Sequence, residues 1–231
     1  MYKKLHKIKR WASFVITRKI KVILGCLIKM ANKILLSLQD LKPEYQKLWN
    51  SCQIRPDKLS STQNIVAKIT ANRPRYEALV QKINVPWYFV AVIHNMECSL
   101  NFSKHLHNGD SLKKRTINEP SGRPLADPIN GWEVGYTWEE SAIDALTMKE
   151  FNRVKDWCLP AQLWQPERYN GVGYGLYHPE VLTPYLWSGT NNYNKGKYVA
   201  DGKWDANAVS AQIGVAALLK VLIKEANLNI Q

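Results

Sequence analysis

The sequence lacks the cysteine patterns of a metal knuckle or a disulfide scaffold. A metal knuckle needs closely spaced cysteine pairs, and a disulfide scaffold is typical of short chains rich in cysteine. The four cysteines of this 231-residue chain are far apart, and none belongs to a C-x-x-C pair. They are Cys26, Cys52, Cys98 and Cys158. With 231 residues, of which 45% are hydrophobic, the chain has enough apolar side chains to bury one core without cross-links.

A long uncharged apolar run is also missing from the N-terminal part of the chain. The longest run there covers residues 22–28 and is too short to cross a bilayer. Lys19 and Lys21 interrupt the apolar region that a secretory signal would need. Residues 23–26, Ile-Leu-Gly-Cys, match a lipoprotein cleavage box only faintly. Neither a transmembrane helix nor a cleaved signal is therefore predicted.

Acidic residues are absent from residues 1–39, which contain ten Lys and Arg residues. Of the net charge of +13, only three positive charges therefore remain for residues 40–231. A nucleic-acid-binding domain usually carries its positive charge on the folded body. For this reason no nucleic acid is predicted as a partner.

Residues 20–38 have the pattern of a basic amphipathic helix. Apolar residues recur there at steps of three and four, and lysines lie between them. Such a helix binds an anionic membrane surface or an anionic cell-wall polymer, and we expect this of residues 1–39. The alternative is a helix that docks on the surface of the protein's own body.

An almost unbroken apolar stretch ends at Glu97. Pro86 suits the first helical position, and residues 87–93 are seven consecutive apolar residues, which predicts a helix buried on every side. On that helix Glu97 shares a face with Val90 and Ile93. Because burial disfavours the charged carboxylate, Glu97 is expected to keep its proton towards neutral pH, as a general acid must. The alternative is a glutamate at the helix end that points into solvent.

A polar loop with the sequence H-L-H-N-G-D follows this helix at residues 105–110. Asn108 and Gly109 form a strong turn signal. Asp110 is a candidate second carboxylate, which holds a water molecule or stabilises positive charge, and Asp127 is a less favoured substitute. If Asp110 activates water, its carboxyl group should lie roughly 6.5–9.5 Å from that of Glu97, which predicts inversion. Alternatively, Asp110 is only a turn residue.

Two segments in the second half combine aromatic rings with amides. Residues 168–174, R-Y-N-G-V-G-Y, include Tyr169, Asn170 and Tyr174, and residues 185–193, Y-L-W-S-G-T-N-N-Y, include Trp187. Aromatic faces can stack on sugars, and amides can hydrogen-bond to sugar hydroxyls. A phosphate-binding loop is not predicted, because the glycine spacing fits neither nucleotide fingerprint and no strand precedes it.

Helical patterns cover much of the remaining chain, and residues 118–135, which are rich in Pro and Gly, are expected to form a small hairpin or an extended lip. Thr137 and Glu140 form a capping box at the start of a helix, and Asp205 is expected to cap the last helix. Further helices are predicted over residues 43–52, 62–70, 72–83, 148–157 and, after Pro160, up to 168.

Two of these segments resemble motifs of the goose-type lysozyme and lytic transglycosylase superfamily. H-N-M-E-C-S-L-N-F, residues 94–102, resembles the motif in which the catalytic Glu ends a buried helix and is followed by a small hydroxyl residue and then by a Phe. Here Ser99 is displaced by one position, because Cys98 occupies the usual place of the serine. R-Y-N-G-V-G-Y is similar to the A-Y-N-A-G-type motif. This similarity implies that Tyr169 and Asn170 lie close to Glu97 and contact the glycan.

Residues 40–220 as a whole resemble a family of uncharacterised lysozyme-like proteins of bacteria and phages, which share W-Y-F, H-L-H-N-G-D, W-E-E-S-A-I-D-A-L and Y-L-W-S-G-T-N. The G-L-M-Q-type segment of transglycosylases is absent, and H-L-H-N-G-D stands in its place. The resemblance implies a mainly α fold. It consists of a lysozyme-like helical domain over residues 40–231 with a small irregular or β lip, preceded by the basic amphipathic segment 1–39.

The resemblance also implies an activity. The protein is expected to be a monomeric muramidase, a peptidoglycan hydrolase that cleaves the β-1,4 bond between N-acetylmuramic acid and N-acetylglucosamine at the cell wall, in the periplasm or outside the cell. Glu97 and Asp110 are the expected catalytic carboxylates, and no cofactor or metal is expected. The residues expected to contact the glycan strands are Ser99, His105, His107, Asn108, Tyr169, Asn170, Tyr174 and Trp187.

Three alternatives remain open from the sequence. In a lytic transglycosylase the substrate's own 6-hydroxyl attacks, which gives an anhydro product. In a zinc-dependent amidase or peptidase, metal ligands replace the acid, although no H-E-x-x-H motif is present. The candidate zinc ligands are His94, Cys98, His105, His107 and Asp110. In a non-catalytic glycan-binding protein, the aromatic residues bind sugars and Glu97 has no chemical role.

Overall fold

The computed structural model describes residues 38–200 and 202–230. This part of the chain is mainly helical, with one two-stranded antiparallel sheet. The elements in order are α1 Leu38–Ser51, α2 Pro56–Ala71, α3 Arg73–Val80, α4 Trp87–Cys98, α5 Trp138–Met148, a 3₁₀ turn Phe151–Arg153, α6 Leu159–Asn170, α7 Gly173–Tyr177, α8 Pro184–Trp187, β1 Lys197–Ala200, β2 Lys203–Asp205 and α9 Val215–Glu225. The mainly α fold class is therefore confirmed.

Residues 20–37 of the predicted amphipathic helix over 20–38, and residues 1–37 of the basic segment 1–39, lie outside the described residues. Among the residues that the structure does describe, none of the helices has both the length and the apolar character needed to cross a bilayer.

Helix α4 is the centre of the fold. Ten of its twelve residues are buried, and it packs against α2, α3 and α9. The last of these, α9, also contacts α8, and the two meet closely at Gly214, where a Cβ atom would lie 2.6 Å from the carbonyl oxygen of Leu186. Because α4 is enclosed in this way, the side chain at its C-terminal end is held against a rigid core. The prediction of a helix buried on every side is confirmed.

Two of the local predictions are wrong. Residues 148–157 do not form a helix, because Glu150 adopts a left-handed conformation (φ 60°) and the chain turns to bury Phe151 edge-on against Phe89, with ring centroids 5.2 Å apart. Asp205 does not cap α9. It ends β2, and its Oδ1 accepts hydrogen bonds from the backbone N–H groups of Asn207 and Ala208 at 2.8 and 3.2 Å.

The sheet lies in a region that sequence patterns did not assign to strands. β1 and β2 form a hairpin in which Tyr198 is opposite Trp204 and Lys197 is opposite Asp205. In the expected lip, the described residues show turns and bends over 113–135, and the loop before them has a single isolated bridge between Lys104 and Ser111. The lip is therefore irregular, and the β structure lies elsewhere.

Candidate active site

Glu97 lies on the last turn of α4. The helix ends immediately afterwards, because Ser99 and Leu100 both have positive φ (52° and 62°) and their N–H groups bond back to the carbonyl oxygens of Asn95 and His94. This is the left-handed termination that commonly closes a helix. As a result, Glu97 projects from a rigid helix at the point where the chain leaves the core.

The environment of Glu97 favours its protonated form. Burial raises the pKa of Glu97 to about 7, even though a hydrogen bond from Tyr185 and the positive charge of Lys149 both act to lower it. The Tyr185 hydroxyl donates to Glu97 Oε1 at 2.7 Å. The side chain is partly accessible rather than sealed in the core. Glu97 thus has the raised pKa that its position in the sequence predicts.

A cleft of about 600 Å³ is linked to Glu97 through Tyr185, which lines the cleft and hydrogen-bonds to Glu97. It is lined by Asn170, Gly171, Gly173, Tyr174, Pro184, Tyr185, Lys197, Tyr198, Ser210 and Gln212. Two of these residues connect the cleft to the end of α4. Tyr185 bonds to Glu97, and the side-chain amide of Gln212 donates to the carbonyl oxygen of Met96 at 2.8 Å. The structure therefore places Asn170 and Tyr174, both expected to contact glycan, in the wall of the same cleft.

Tyr169 lies near Glu97, but it is not a surface for sugar stacking. Its side chain is buried, its hydroxyl donates to the carbonyl oxygen of Leu106 at 2.6 Å, and its ring stacks on Phe151. Burial raises the pKa of Tyr169 well above its ordinary value, and the neighbouring Glu97 carboxylate adds to this effect. Lys149 Nζ donates to the Tyr169 carbonyl oxygen at 3.3 Å. Tyr169 therefore acts as a buried structural residue that packs near Glu97.

His105 and His107 are buried, which corrects the expectation that they contact the glycan. His105 Nδ1 is 2.9 Å from Ser141 Oγ, and its Nε2 is 2.8 Å from the Lys114 carbonyl oxygen. His107 Nε2 is 2.8 Å from Asp144 Oδ2. Burial lowers the pKa of His107 to about 4, against the raising effect of the Asp144 carboxylate. Both rings attach the loop 105–110 to α5.

The Asp110 carboxylate is hydrogen-bonded by groups of its own loop. It accepts hydrogen bonds from the backbone N–H groups of Ile117 and Asn118 at 2.8 and 3.0 Å, and from the side-chain amides of Asn118 and Asn108 at 2.7 and 3.1 Å. Burial alone would raise the pKa of Asp110, but these hydrogen bonds outweigh it and lower the pKa. This arrangement agrees with the alternative in which Asp110 is a turn residue. Asn108 belongs to the same network rather than facing the cleft.

The backbone of the loop 105–110 contacts Glu97. Gly109 has a φ of 78°, and a Cβ atom at this position would lie 3.1 Å from the Glu97 carbonyl oxygen. Beside this contact, Cys98 Sγ donates to the His105 carbonyl oxygen at 3.0 Å. The loop is therefore packed directly on the end of α4, which limits how far Glu97 can move.

The remaining candidates are spread over the fold. Trp187 is only 1% exposed and lies in the core, so it cannot serve as a platform for sugars. Ser99 is exposed at the C-terminal cap of α4. Asp127 is bound by Arg115 at 2.7 Å. Aromatic composition alone did not separate core rings such as Trp187 from rings in the cleft.

Within residues 38–200 and 202–230, no three His, Cys, Asp or Glu side chains come together as a group that could hold a metal ion. His94, the remaining candidate ligand, is fully buried, and its Nδ1 lies 2.9 Å from the Tyr76 hydroxyl. The zinc-dependent alternative therefore finds no ligand set in that part of the chain.

Sequence reasoning did not identify three residues of the site: Tyr185, Lys149 and Gln212. Tyr185 lies 88 positions after Glu97, and no local spacing connects them. Comparison of the chain with family models, with curated proteins and with solved structures gives no match.

Proposed function

We propose that this protein is a peptidoglycan hydrolase that cleaves the β-1,4 glycosidic bond between N-acetylmuramic acid and N-acetylglucosamine, with Glu97 as the general acid. The observation that carries the proposal is a carboxyl group with a pKa of about 7 that is hydrogen-bonded to Tyr185, a residue in the wall of a cleft of about 600 Å³. A glycosidase must protonate the leaving oxygen, and a group whose pKa is near the working pH does this efficiently.

The contacts of Glu97 suggest how the proton is held. Because Tyr185 donates to Oε1, the acidic proton belongs on Oε2, the oxygen that delivers it to the glycosidic bond. After transfer, the new carboxylate keeps the Tyr185 hydrogen bond and the nearby charge of Lys149, both of which stabilise the anion. Tyr185 is therefore a positioning residue, which orients the acid and prepares for its ionisation.

Hydrolysis and transglycosylation differ in the group that attacks the sugar after the glycosidic bond breaks. Asp110 and Asp127 are both engaged in bonds within the loop and the lip. Attack by the substrate's own 6-hydroxyl needs no second carboxylate, so the engagement of these two residues favours lytic transglycosylation as the second candidate. For hydrolysis, water attacks the oxocarbenium-like centre and passes a proton to the Glu97 carboxylate, which regenerates the acid. In either chemistry Asp110 shapes the loop that packs on Glu97.

The experiment is digestion of purified peptidoglycan by the full-length protein, followed by mass analysis of the released muropeptides. Hydrolysis gives reducing ends, and transglycosylation gives anhydro ends. Glu97→Gln should abolish release while remaining folded, and Glu77→Gln, which changes an exposed carboxylate paired with Arg73, should behave like the wild type. If Glu97→Gln releases muropeptides at the rate of Glu77→Gln, the proposal is wrong.

A further inference from the structure

The cleft that Tyr185 connects to Glu97 has one charged residue in its wall. Of the described residues that line it, Lys197 alone is charged, and the others are tyrosines, amides, glycines, a serine and a proline. Lys197 is half-buried on β1. An ammonium group placed among neutral polar groups and aromatic rings provides a binding position for an anion.

The fold fixes the position of Lys197. The backbone N–H of Tyr198 donates to the Tyr174 hydroxyl at 3.3 Å, which attaches β1 to α7. On β2, the Trp204 ring stacks on His178 with the centroids 3.5 Å apart. A Cβ atom at Gly196 would lie 2.9 Å from the Trp204 ring, so the hairpin closes tightly against this cluster. Lys197 is therefore presented by a braced strand and not by a free loop.

Among the described ion pairs, none includes Lys197. Asp205 is its cross-strand neighbour, but the Asp205 carboxylate accepts hydrogen bonds from the N–H groups of Asn207 and Ala208 instead. Lys195, two residues earlier, donates to the side chain of Asn207 at 2.7 Å. Lys197 thus differs from Lys195 in that it lines the cleft and its side chain has no hydrogen-bond or ion-pair partner among the described residues.

We propose that Lys197 is a specificity residue that binds a carboxylate of the sugar substrate. The inference rests on the proposed function, and it names the feature that the cleft selects. Chitin-type oligosaccharides are neutral and offer nothing to an ammonium group. Peptidoglycan offers a carboxylate from the lactyl group of N-acetylmuramic acid or from the peptide stem. In this account, the amide of Asn170 and the ring of Tyr174 contact the neutral part of the sugar beside that carboxylate.

The expected effect is moderate, because Lys197 is half-exposed and water weakens its attraction for an anion. A hydrogen bond to a charged group in such a position changes affinity by about tenfold. A chain with a net charge of +13 also attracts polyanions without specificity. The test must therefore use short soluble ligands and a control lysine.

The test measures binding by calorimetry in full-length Glu97→Gln protein, which leaves the ligands intact. Three oligosaccharides of equal length serve as ligands: neutral chitin fragments, glycan without stems and with free lactyl carboxylates, and glycan with stems, in which the lactyl group is amidated. Adding Lys197→Gln should weaken binding of a carboxylate-bearing glycan about tenfold and leave chitin binding unchanged. Lys203→Gln, at an exposed site on β2, should change neither.

Comparing the three ligands identifies which carboxylate Lys197 binds. A loss confined to stem-free glycan assigns Lys197 to the lactyl group, and a loss confined to stem-bearing glycan assigns it to the peptide. Lys197→Arg should recover most of the affinity, because it keeps the charge. The inference is overturned if the Lys197→Gln protein binds each of the three ligands as tightly as the Lys203→Gln protein does. It is also overturned if no carboxylate-bearing glycan binds. Because binding is read separately from cleavage, the proposed function can fail independently of this result.

Discussion

The Tyr185 hydroxyl lies 2.7 Å from Glu97 Oε1, and this contact joins the cleft wall to the end of the largely buried helix α4. It opposes the effect of burial. Desolvation raises the pKa of Glu97, and the hydrogen bond, which favours the carboxylate, pulls it back to about 7. The chemical use of Glu97 depends on this balance, because an acid with a much higher pKa would give up its proton too reluctantly.

Replacing Tyr185 with Phe removes the hydroxyl that favours the Glu97 carboxylate, so the pKa of Glu97 should rise above 7. The alkaline limb of the pH–rate profile for muropeptide release should move to higher pH, while the maximal rate falls by about tenfold or more, because the acid loses its orientation. Tyr177→Phe, at a 64% exposed site, is the matched control. A limb that stays in place or moves to lower pH would contradict the assigned role.

Gly109 and Gly122 offer a matched pair for the contact between the loop and Glu97. Both have positive φ, 78° and 73°, but a Cβ atom at Gly109 meets the Glu97 carbonyl oxygen at 3.1 Å and one at Gly122 meets nothing within 4 Å. Each change to Ala should destabilise the fold by about 1 kcal/mol through backbone strain. Only Gly109→Ala should also slow muropeptide release, measured on protein shown to be folded. Equal rates for the two variants would show that the loop does not position Glu97.

Ser141 joins both loop histidines to α5. Its Oγ lies 2.9 Å from His105 Nδ1 and 3.4 Å from His107 Nδ1, and it accepts the Leu106 N–H at 3.0 Å. Ser141→Ala leaves these buried groups without a partner, which should cost about 1–3 kcal/mol and lower the melting temperature. Ser103→Ala, at an exposed position, should cost much less. Similar melting temperatures for the two variants would mean that the buried groups find other partners.

Glu97 should make the protein less stable as the pH rises. Its pKa is raised from 4.5 to about 7 on folding, so its contribution is fully favourable below pH 4.5 and is lost as the pH rises through 7. Above pH 7 the cost is on the order of 3 kcal/mol. Glu97→Gln should therefore melt at a higher temperature than the wild type at pH 8, and the difference should shrink at pH 4.5. A Gln variant that is less stable at pH 8 would argue against a buried acid.

The local elements that the sequence predicts well are those determined by their own residues. Helix α4 follows from an apolar run, and the capping box of α5 follows from Thr137 and Glu140, whose reciprocal bonds are present. The hairpin also has a local signal, since a D-G pair at residues 201–202 separates the aromatic residues Tyr198 and Trp204.

The features that the sequence could not give depend on contacts between distant segments. His105 and His107 look like ligands or glycan contacts until α5 provides Ser141 and Asp144 more than thirty positions later. Whether Trp187 fills the core or faces a cleft is likewise decided by how α8 packs on α9. Residue type indicates which chemistry is available, whereas packing decides which residues can use it.

The most direct test of the account compares initial rates of muropeptide release from purified peptidoglycan by the wild type and by Glu97→Gln at pH 6 and pH 8. The wild type should work faster at pH 6, where more of the Glu97 population is protonated, and the Gln variant should be inactive at both values. Release by Glu97→Gln at the wild-type rate, or a wild-type rate that rises from pH 6 to pH 8, would contradict the assignment of Glu97 as the general acid.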